Sequence, residues 1–275
     1  MIKRTKRITT IFITAIVILL LILSLFPLFY MLIQSLMPWD LVDKSFFPAH
    51  PTLRSYKYLI NTDDPSNMFM WIRSLFNSIV VSLPTALISV LVGLSVGYSL
   101  TKLNFKGKKI IYYSLIFQMF FPVVILLVPR YILIKPLANS YLGMILPLCI
   151  STWAIFMYIN YFKTLPNEIF EAAKIDGISE LGMIVKIAMP MTKSVTMIVF
   201  LSMFMTRWNE LMWDMLVSPD IKMQTLNVLI TTQFKAMGNF PGPLYAASVL
   251  LTLPIIIMFL CASKYFKEGI SFMLK

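Results

Sequence analysis

Ile8 to Trp39 reads ITTIFITAIVILLLILSLFPLFYMLIQSLMPW, 32 consecutive residues without an acidic or basic side chain. A helix needs about 20 predominantly apolar residues to cross the hydrocarbon core of a bilayer, so this run is long enough to span it at a tilt. Lys3, Arg4, Lys6 and Arg7 stand just before it, as in a secretory signal. The run is too long for a signal h-region and lacks a small-residue cleavage pattern, so it is expected to remain as a membrane span.

Four more charge-free runs follow: Ser74 to Thr101, Ile110 to Pro129, Pro136 to Phe162, and Ala236 to Ser263. A sixth apolar stretch, 196–217, is interrupted by Arg207, Glu210 and Asp214. The chain is 59% hydrophobic and 13% charged, against roughly 45–50% and 25% in soluble domains. The expected fold class is therefore an all-α integral membrane protein of six transmembrane helices, a single transmembrane domain over 1–275.

Basic residues in short loops set orientation, because they are retained on the cytoplasmic side. Fifteen fall in the N-terminal tail, the Thr101–Lys109 turn, the Lys163–Lys193 loop and the tail from Lys264; eight fall in the longer loops opposite, and Arg207 lies within a span. Both termini are thus expected in the cytoplasm. The net charge of +12 reflects this topology and attraction to anionic lipid, not nucleic-acid binding. Cys149 and Cys261 lie in separate spans and suggest neither a disulfide framework nor a metal site. His50, the only histidine, sits in an outer loop as an exposed residue without a catalytic partner. No internal repeat is visible, which gives little support to an inverted-repeat carrier.

The 163–194 loop is the most informative connection. Thr164-Leu165-Pro166-Asn167-Glu168-Ile169-Phe170-Glu171-Ala172-Ala173-Lys174-Ile175-Asp176-Gly177 reads as a short helix with Thr164 as its cap, Pro166 in its first turn and Gly177 closing it in the left-handed conformation. A second helix can begin after Ser179, pass through Ile184 and Ile187 and end at Pro190, making an elbow at Gly177. Ile169, Ala172 and Ala173 are expected on one face, where two alanines permit close approach by another protein. The alternative is a loop helix resting on its own bundle.

Glu171-Ala172-Ala173, then Asp176-Gly177, then Ile187 and Pro190 resembles the signature loop of membrane subunits of binding-protein-dependent ABC importers. Phe47-Pro48, Pro51-Thr52-Leu53, Tyr56, Asn77-Ser78, Tyr141-Leu142-Gly143 and Trp208-Asn209-Glu210 extend the resemblance over nearly the whole chain, to the carbohydrate-uptake branch typified by the second maltose permease subunit. Ile178, Met189-Pro190 and Ser194 depart from the usual pattern and bear on helix packing.

The resemblance implies a cytoplasmic coupling helix, between the fourth and fifth spans, that inserts into a cleft on an ATPase subunit. Glu171 would make a polar contact there, Ala172 and Ala173 would pack, Asp176 and Gly177 would set the bend, and Ile187 and Pro190 would anchor the second helix. It further implies a second permease subunit, two cytoplasmic ATP-binding subunits, an extracellular solute-binding protein that delivers a sugar or oligosaccharide, and residence in a prokaryotic cytoplasmic membrane. The 218–245 loop, with Asn239-Phe240-Pro241-Gly242-Pro243, could meet the delivery protein. The chain has no G-x-x-x-x-G-K-[ST] phosphate loop. ATP and magnesium are accordingly expected in partner subunits, with no cofactor or catalytic residue in this chain.

Arg207 and Glu210 are three residues apart, close enough to pair across one helical turn. Trp208, Asn209 and Glu210 either flank the passage or its outer gate, or belong to a salt bridge fixing the fifth helix. Gln118 either bonds between helices or lines a cavity as a donor to a sugar hydroxyl. Two rival functions stand beside the importer: an ion-coupled carrier or channel resting on the intramembrane charges, and an intramembrane enzyme, for which no nucleophile–base arrangement is visible.

Overall fold

The structure, a computed structural model, describes the backbone of residues 2–60, 69–236 and 241–273 and the side chains of 9–60, 69–233 and 241–261. Residues 61–68, Asn239 and Phe240, and the side chains of the terminal lysines lie outside the described residues. Every regular element among the described residues is helical. Contacts divide the chain into two compact units, Met1–Ile72 with Ile230–Thr252 and Arg73–Leu229 with Leu253–Lys275.

In the first unit, α1 (Ile2–Ser35) carries the opening apolar run; its residues 9–29 are exposed, and Gln34 and Ser35 at its end are buried. The connector after it folds on itself. Gln34 receives the Asp43 amide at 3.0 Å and donates to the Ser45 carbonyl at 2.8 Å. Trp39 donates to Ser55 in the short helix α2 (Arg54–Ile60), and the Arg54 guanidinium lies 4.2 Å over the Trp39 ring. The hydroxyls of Tyr30 and Tyr245 both donate to Asp43, at 3.0 and 2.6 Å.

The second unit is built around α3 (Met70–Lys102). Beside buried apolar residues such as Val81, Leu94 and Tyr98, its buried side carries a polar stripe of Ser74, Asn77, Ser78, Ser82, Thr85 and Ser89, short side chains that let other backbone approach closely. Asn77 donates to the carbonyls of Lys222 and Gln224, both at 3.0 Å, and accepts from the Tyr141 hydroxyl at 2.6 Å. Ser78 accepts the Leu226 amide at 2.8 Å.

The next two apolar runs are not straight spans, contrary to expectation. α4 (Lys108–Gln118) stops before Pro122, and the chain resumes as a 3-10 turn and α5 (Leu127–Ile134), bent by 104°. Proline removes an amide and pushes the residue before it towards extended backbone, so Phe121-Pro122 breaks a run that composition alone leaves continuous. α6 (Tyr141–Ile145) and α7 (Thr152–Thr164) likewise meet at 41°, around the 3-10 turn holding Pro147 and the Ser151 cap, whose hydroxyl accepts the Ala154 amide. α7 packs directly on α3. A Cβ added at Gly97 would stand 2.6 Å from Tyr158 Cβ, and one at Gly93 3.1 Å from the Tyr158 ring.

After α7 come α8 (Asn167–Ile175), α9 (Glu180–Gly182), a π-helical turn over Met183–Ala188 and α10 (Met189–Met191). An 86° bend leads into α11 (Lys193–Trp208), then α12 (Met212–Val217), α13 (Leu226–Ala236) and α14 (Gly242–Met273). The last span starts at Gly242 rather than Ala236, and 11 residues of the stretch read as an outer loop form α13. Among the described residues three helices are long and apolar enough to cross a membrane, Thr9–Ser35, Met70–Lys102 and Gly242–Cys261, and up to six crossings result if each bent pair is one.

Candidate functional site

The elbow is closed by local chemistry. Gly177 has φ +75°, which costs an L side chain roughly 1–2 kcal/mol. The Ile178 amide bonds back to Ala173 and the Gly177 amide to Lys174, at 3.1 and 3.0 Å, the paired closure of a Schellman C-cap. Ser179 then caps α9 by accepting the Gly182 amide. Thr164 does not cap α8: it ends α7, its hydroxyl donates back to Tyr161, and Pro166 holds the cap position.

The two alanines also part company. Ala173 and Phe170 are buried among Tyr98, Phe162, Leu165 and Met183, whereas Ala172 and Glu171 are exposed. At 100° per residue adjacent positions cannot share a narrow face. The outer ridge is instead Ile169, Ala172, Ile175, Leu181 and Val185, with Ile175 87% and Leu181 77% exposed. Asp176 is exposed at the bend; Ile187 packs on the buried core, while Pro190 is exposed beside it.

Within the same unit lies a cavity of about 520 Å³. Its polar lining comprises Thr85, Ser89, Gln118, Arg130, Ser151, Thr152, Thr206, Arg207 and Glu210, and its apolar lining includes Phe121, Trp153 and Met203. Gln118, at the end of α4 rather than mid-span, lines this space and accepts the Thr152 hydroxyl at 3.3 Å. Glu210 also lines it and receives the Trp213 amide at 3.0 Å. Trp208 is buried and stacks on Phe204 at 5.3 Å, and Asn209 is exposed and donates to the Met205 carbonyl; neither borders the cavity.

The expected Arg207–Glu210 pair is not formed. Arg207 donates twice to Asp214, at 2.6 and 2.9 Å, and once to the Met144 carbonyl at 3.3 Å, while the Thr225 hydroxyl donates to the same carboxylate. Both side chains are almost fully buried, 2% and 1% exposed. Seven residues would separate them by about 10 Å along a continuous helix, but the interruption at 209–211 turns α12 back so that they meet. A two-pronged carboxylate match satisfies a buried guanidinium better than a partner left at the cavity edge. Asp214 was visible only as a charge interrupting an apolar stretch.

Cys149 is buried and Cys261 exposed, His50 is exposed, and among the described residues no group of three His, Cys, Asp or Glu could hold a metal.

Residues 89–271 match the family described as binding-protein-dependent transport system inner membrane component. The chain is 30% identical to the arabinooligosaccharides transport system permease protein AraQ of Bacillus subtilis, over 91% of this chain and 90% of that protein. It is also 30% identical to the inner membrane ABC transporter permease protein YcjP of Escherichia coli, over 92% and 91%. A solved bacterial ABC transporter involved in import of the acidic polysaccharide alginate contains a chain of the same fold, with TM-score 0.83, 20% identity, and 96% and 98% of the two chains covered. The chain belongs to the binding-protein-dependent transport system inner membrane components, and is a multi-pass permease subunit of an ABC importer.

Proposed function

We propose that this permease carries a sugar or oligosaccharide, handed over by an extracellular solute-binding protein, through a passage formed with a second permease subunit. The observation that carries the substrate class is the cavity's lining. Hydroxyls, one amide, one carboxylate and the guanidinium groups of Arg130 and Arg207 share the lining with the aromatic side chains of Phe121 and Trp153, a mixture that suits the hydroxyl-rich edges and apolar faces of a sugar ring. Its volume falls in the range of about 300–1,000 Å³ usual for small-molecule pockets. In this reading Gln118 and Glu210 contact substrate, while Trp208 and Asn209 support the outer end of α11.

The same reading puts six crossings in a prokaryotic cytoplasmic membrane, makes 1–275 one permease domain and places both termini and the elbow in the cytoplasm. Two ATP-binding subunits, which bring ATP and magnesium, dock beneath the permease pair. The apolar ridge of Ile169, Ala172, Ile175, Leu181 and Val185 enters their cleft, with Glu171 at its polar edge. Nucleotide closure then shifts the bundle between inward- and outward-open states, a coupling between sites that runs both ways. The carrier alternative loses its support, because Arg207 is held by Asp214 and the family is ATP-driven.

The test is affinity purification of the tagged chain in mild detergent, with uptake of labelled oligosaccharides by cells carrying the complete system. Gly177→Pro cannot reach φ +75° and loses the amide that closes the elbow; it is expected to abolish ATPase co-purification. Glu210→Gln and Gln118→Ala are expected to lower uptake while the complex stays assembled. A lone chain that transports without an ATPase, or uptake indifferent to both cavity substitutions, removes this reading.

A further inference from the structure

One turn near the end of α3 grips the elbow at two points, neither of them on its exposed ridge nor in the cavity. The buried Tyr98 hydroxyl donates to Glu180 Oε2 at 2.8 Å. Four residues on, Lys102 Nζ donates to the Leu165 carbonyl at 2.8 Å and to Asn167 Oδ1 at 2.7 Å. Phe170 fills the space between them, 5.9 Å from the Tyr98 ring and beneath the Lys102 ammonium at 4.9 Å. Lys102 thus holds the entry to α8, and Tyr98 holds the first residue of α9. Glu180 also meets Lys174 at 3.4 Å, so its two oxygens tie both arms of the elbow to one another and to α3.

The connection by chain runs elsewhere and is built differently. The elbow leaves through the π-helical turn and the 86° bend into α11, irregular backbone bridged by hydroxyls: Tyr158 donates to Thr196 at 2.9 Å and Thr196 to Thr192 at 3.3 Å. α3, by contrast, is a single helix from Met70 to Lys102, locked on α7 where Gly93 and Gly97 meet Tyr158. Displacement of the elbow therefore meets a charge-assisted hydrogen bond and a close-packed helix on the α3 side, and a bend on the α11 side.

We propose that Tyr98 and Lys102 are positioning residues that pass elbow movement into α3, with Glu180 as the group that receives Tyr98, so that the nucleotide-driven change reaches the cavity through α3. This rests on the reading that the elbow docks an ATPase. Two cavity residues, Thr85 and Ser89, sit on α3 two to four turns from Tyr98, which gives the movement a direct route to the cavity wall.

The test uses the whole complex with a thiol reporter, so that no solute need be known. Exposed Thr206 in the cavity wall is changed to Cys in a Cys261→Ser background, and N-ethylmaleimide labelling is followed with and without a non-hydrolysable ATP analogue. The unmodified clamp is expected to show a nucleotide-dependent labelling rate. Tyr98→Phe, which removes one hydroxyl, and Glu180→Ala are expected to reduce that response by about tenfold, the size set by one hydrogen bond to a charged group. ATPase co-purification and ATP hydrolysis should persist in both, and Glu180→Gln, which keeps an acceptor oxygen for Tyr98, should restore the response. A response in Tyr98→Phe equal to that of the unmodified clamp overturns the proposal. So does a response lost only together with ATPase co-purification, which would make the contact merely structural. Absence of any ATPase on the unmodified chain removes the docking reading itself, a distinct result with which this inference also falls.

Discussion

Two ion pairs of the same chemistry stand in opposite surroundings. Lys174–Glu180, at 3.4 Å, is about half exposed on both sides, while Arg207–Asp214, at 2.6 Å, is all but sealed from solvent. Distance alone would rank them as stronger and weaker versions of one interaction. Their surroundings make them different in kind. The exposed pair competes with water and is worth about 0–1 kcal/mol. The buried pair has already given up its hydration, and removing one partner strands a charge, which costs about 3–5 kcal/mol. Glu180 matters for its second oxygen, on Tyr98, more than for its lysine. Arg207 and Asp214 matter because each makes the other tolerable.

The largest expected effect breaks the buried pair: Asp214→Ala should destabilise by about 3–5 kcal/mol, read as a thermal shift of the purified chain in detergent. Replacing both charges at once, Arg207→Met with Asp214→Leu, should recover most of that loss or all of it, since an apolar pair of similar volume strands no charge. Next comes Gly97→Val, which drives a side chain into Tyr158 and should cost about 1–3 kcal/mol by the same measurement. Gly177→Ala should cost about 1–2 kcal/mol through its left-handed backbone, seen as faster proteolysis at the elbow. Smallest is Lys174→Ala, expected within about 0.5 kcal/mol and shrinking further as salt is added. A Lys174 effect as large as that of Asp214 would erase the distinction between the two pairs.

How much of this was legible in the sequence follows the same divide between local and non-local causes. The elbow was readable because Gly177, Ser179 and the flanking helix signals act within a few residues, and the φ of +75° at Gly177 is the backbone its residue type suggested. The apolar runs were readable as lipid-facing chain, yet the bends at Pro122 and Pro147 were lost in a count of charges that ignores missing amides. The partner of Arg207 was not readable, since choosing Asp214 over Glu210 depends on an interruption at 209–211 that no pairing rule for a continuous helix contains. The split between Ala172 and Ala173 was recoverable: Phe170 is three residues from Ala173 and shares its inward side, a pairing that periodicity offers once the aromatic is taken as the anchor.

Asn77 grips peptide carbonyls of the 222–224 segment, not its side chains. A saturation library scored for surviving transporters should therefore be lopsided across this one contact. Only an amide offers two donors to the carbonyls and an acceptor to Tyr141 at that spot, so nearly every replacement of Asn77 should drop out. Exposed Lys222, whose carbonyl alone is held, should accept a broad set of residues. The partners in one hydrogen bond would then diverge at very different rates along a lineage.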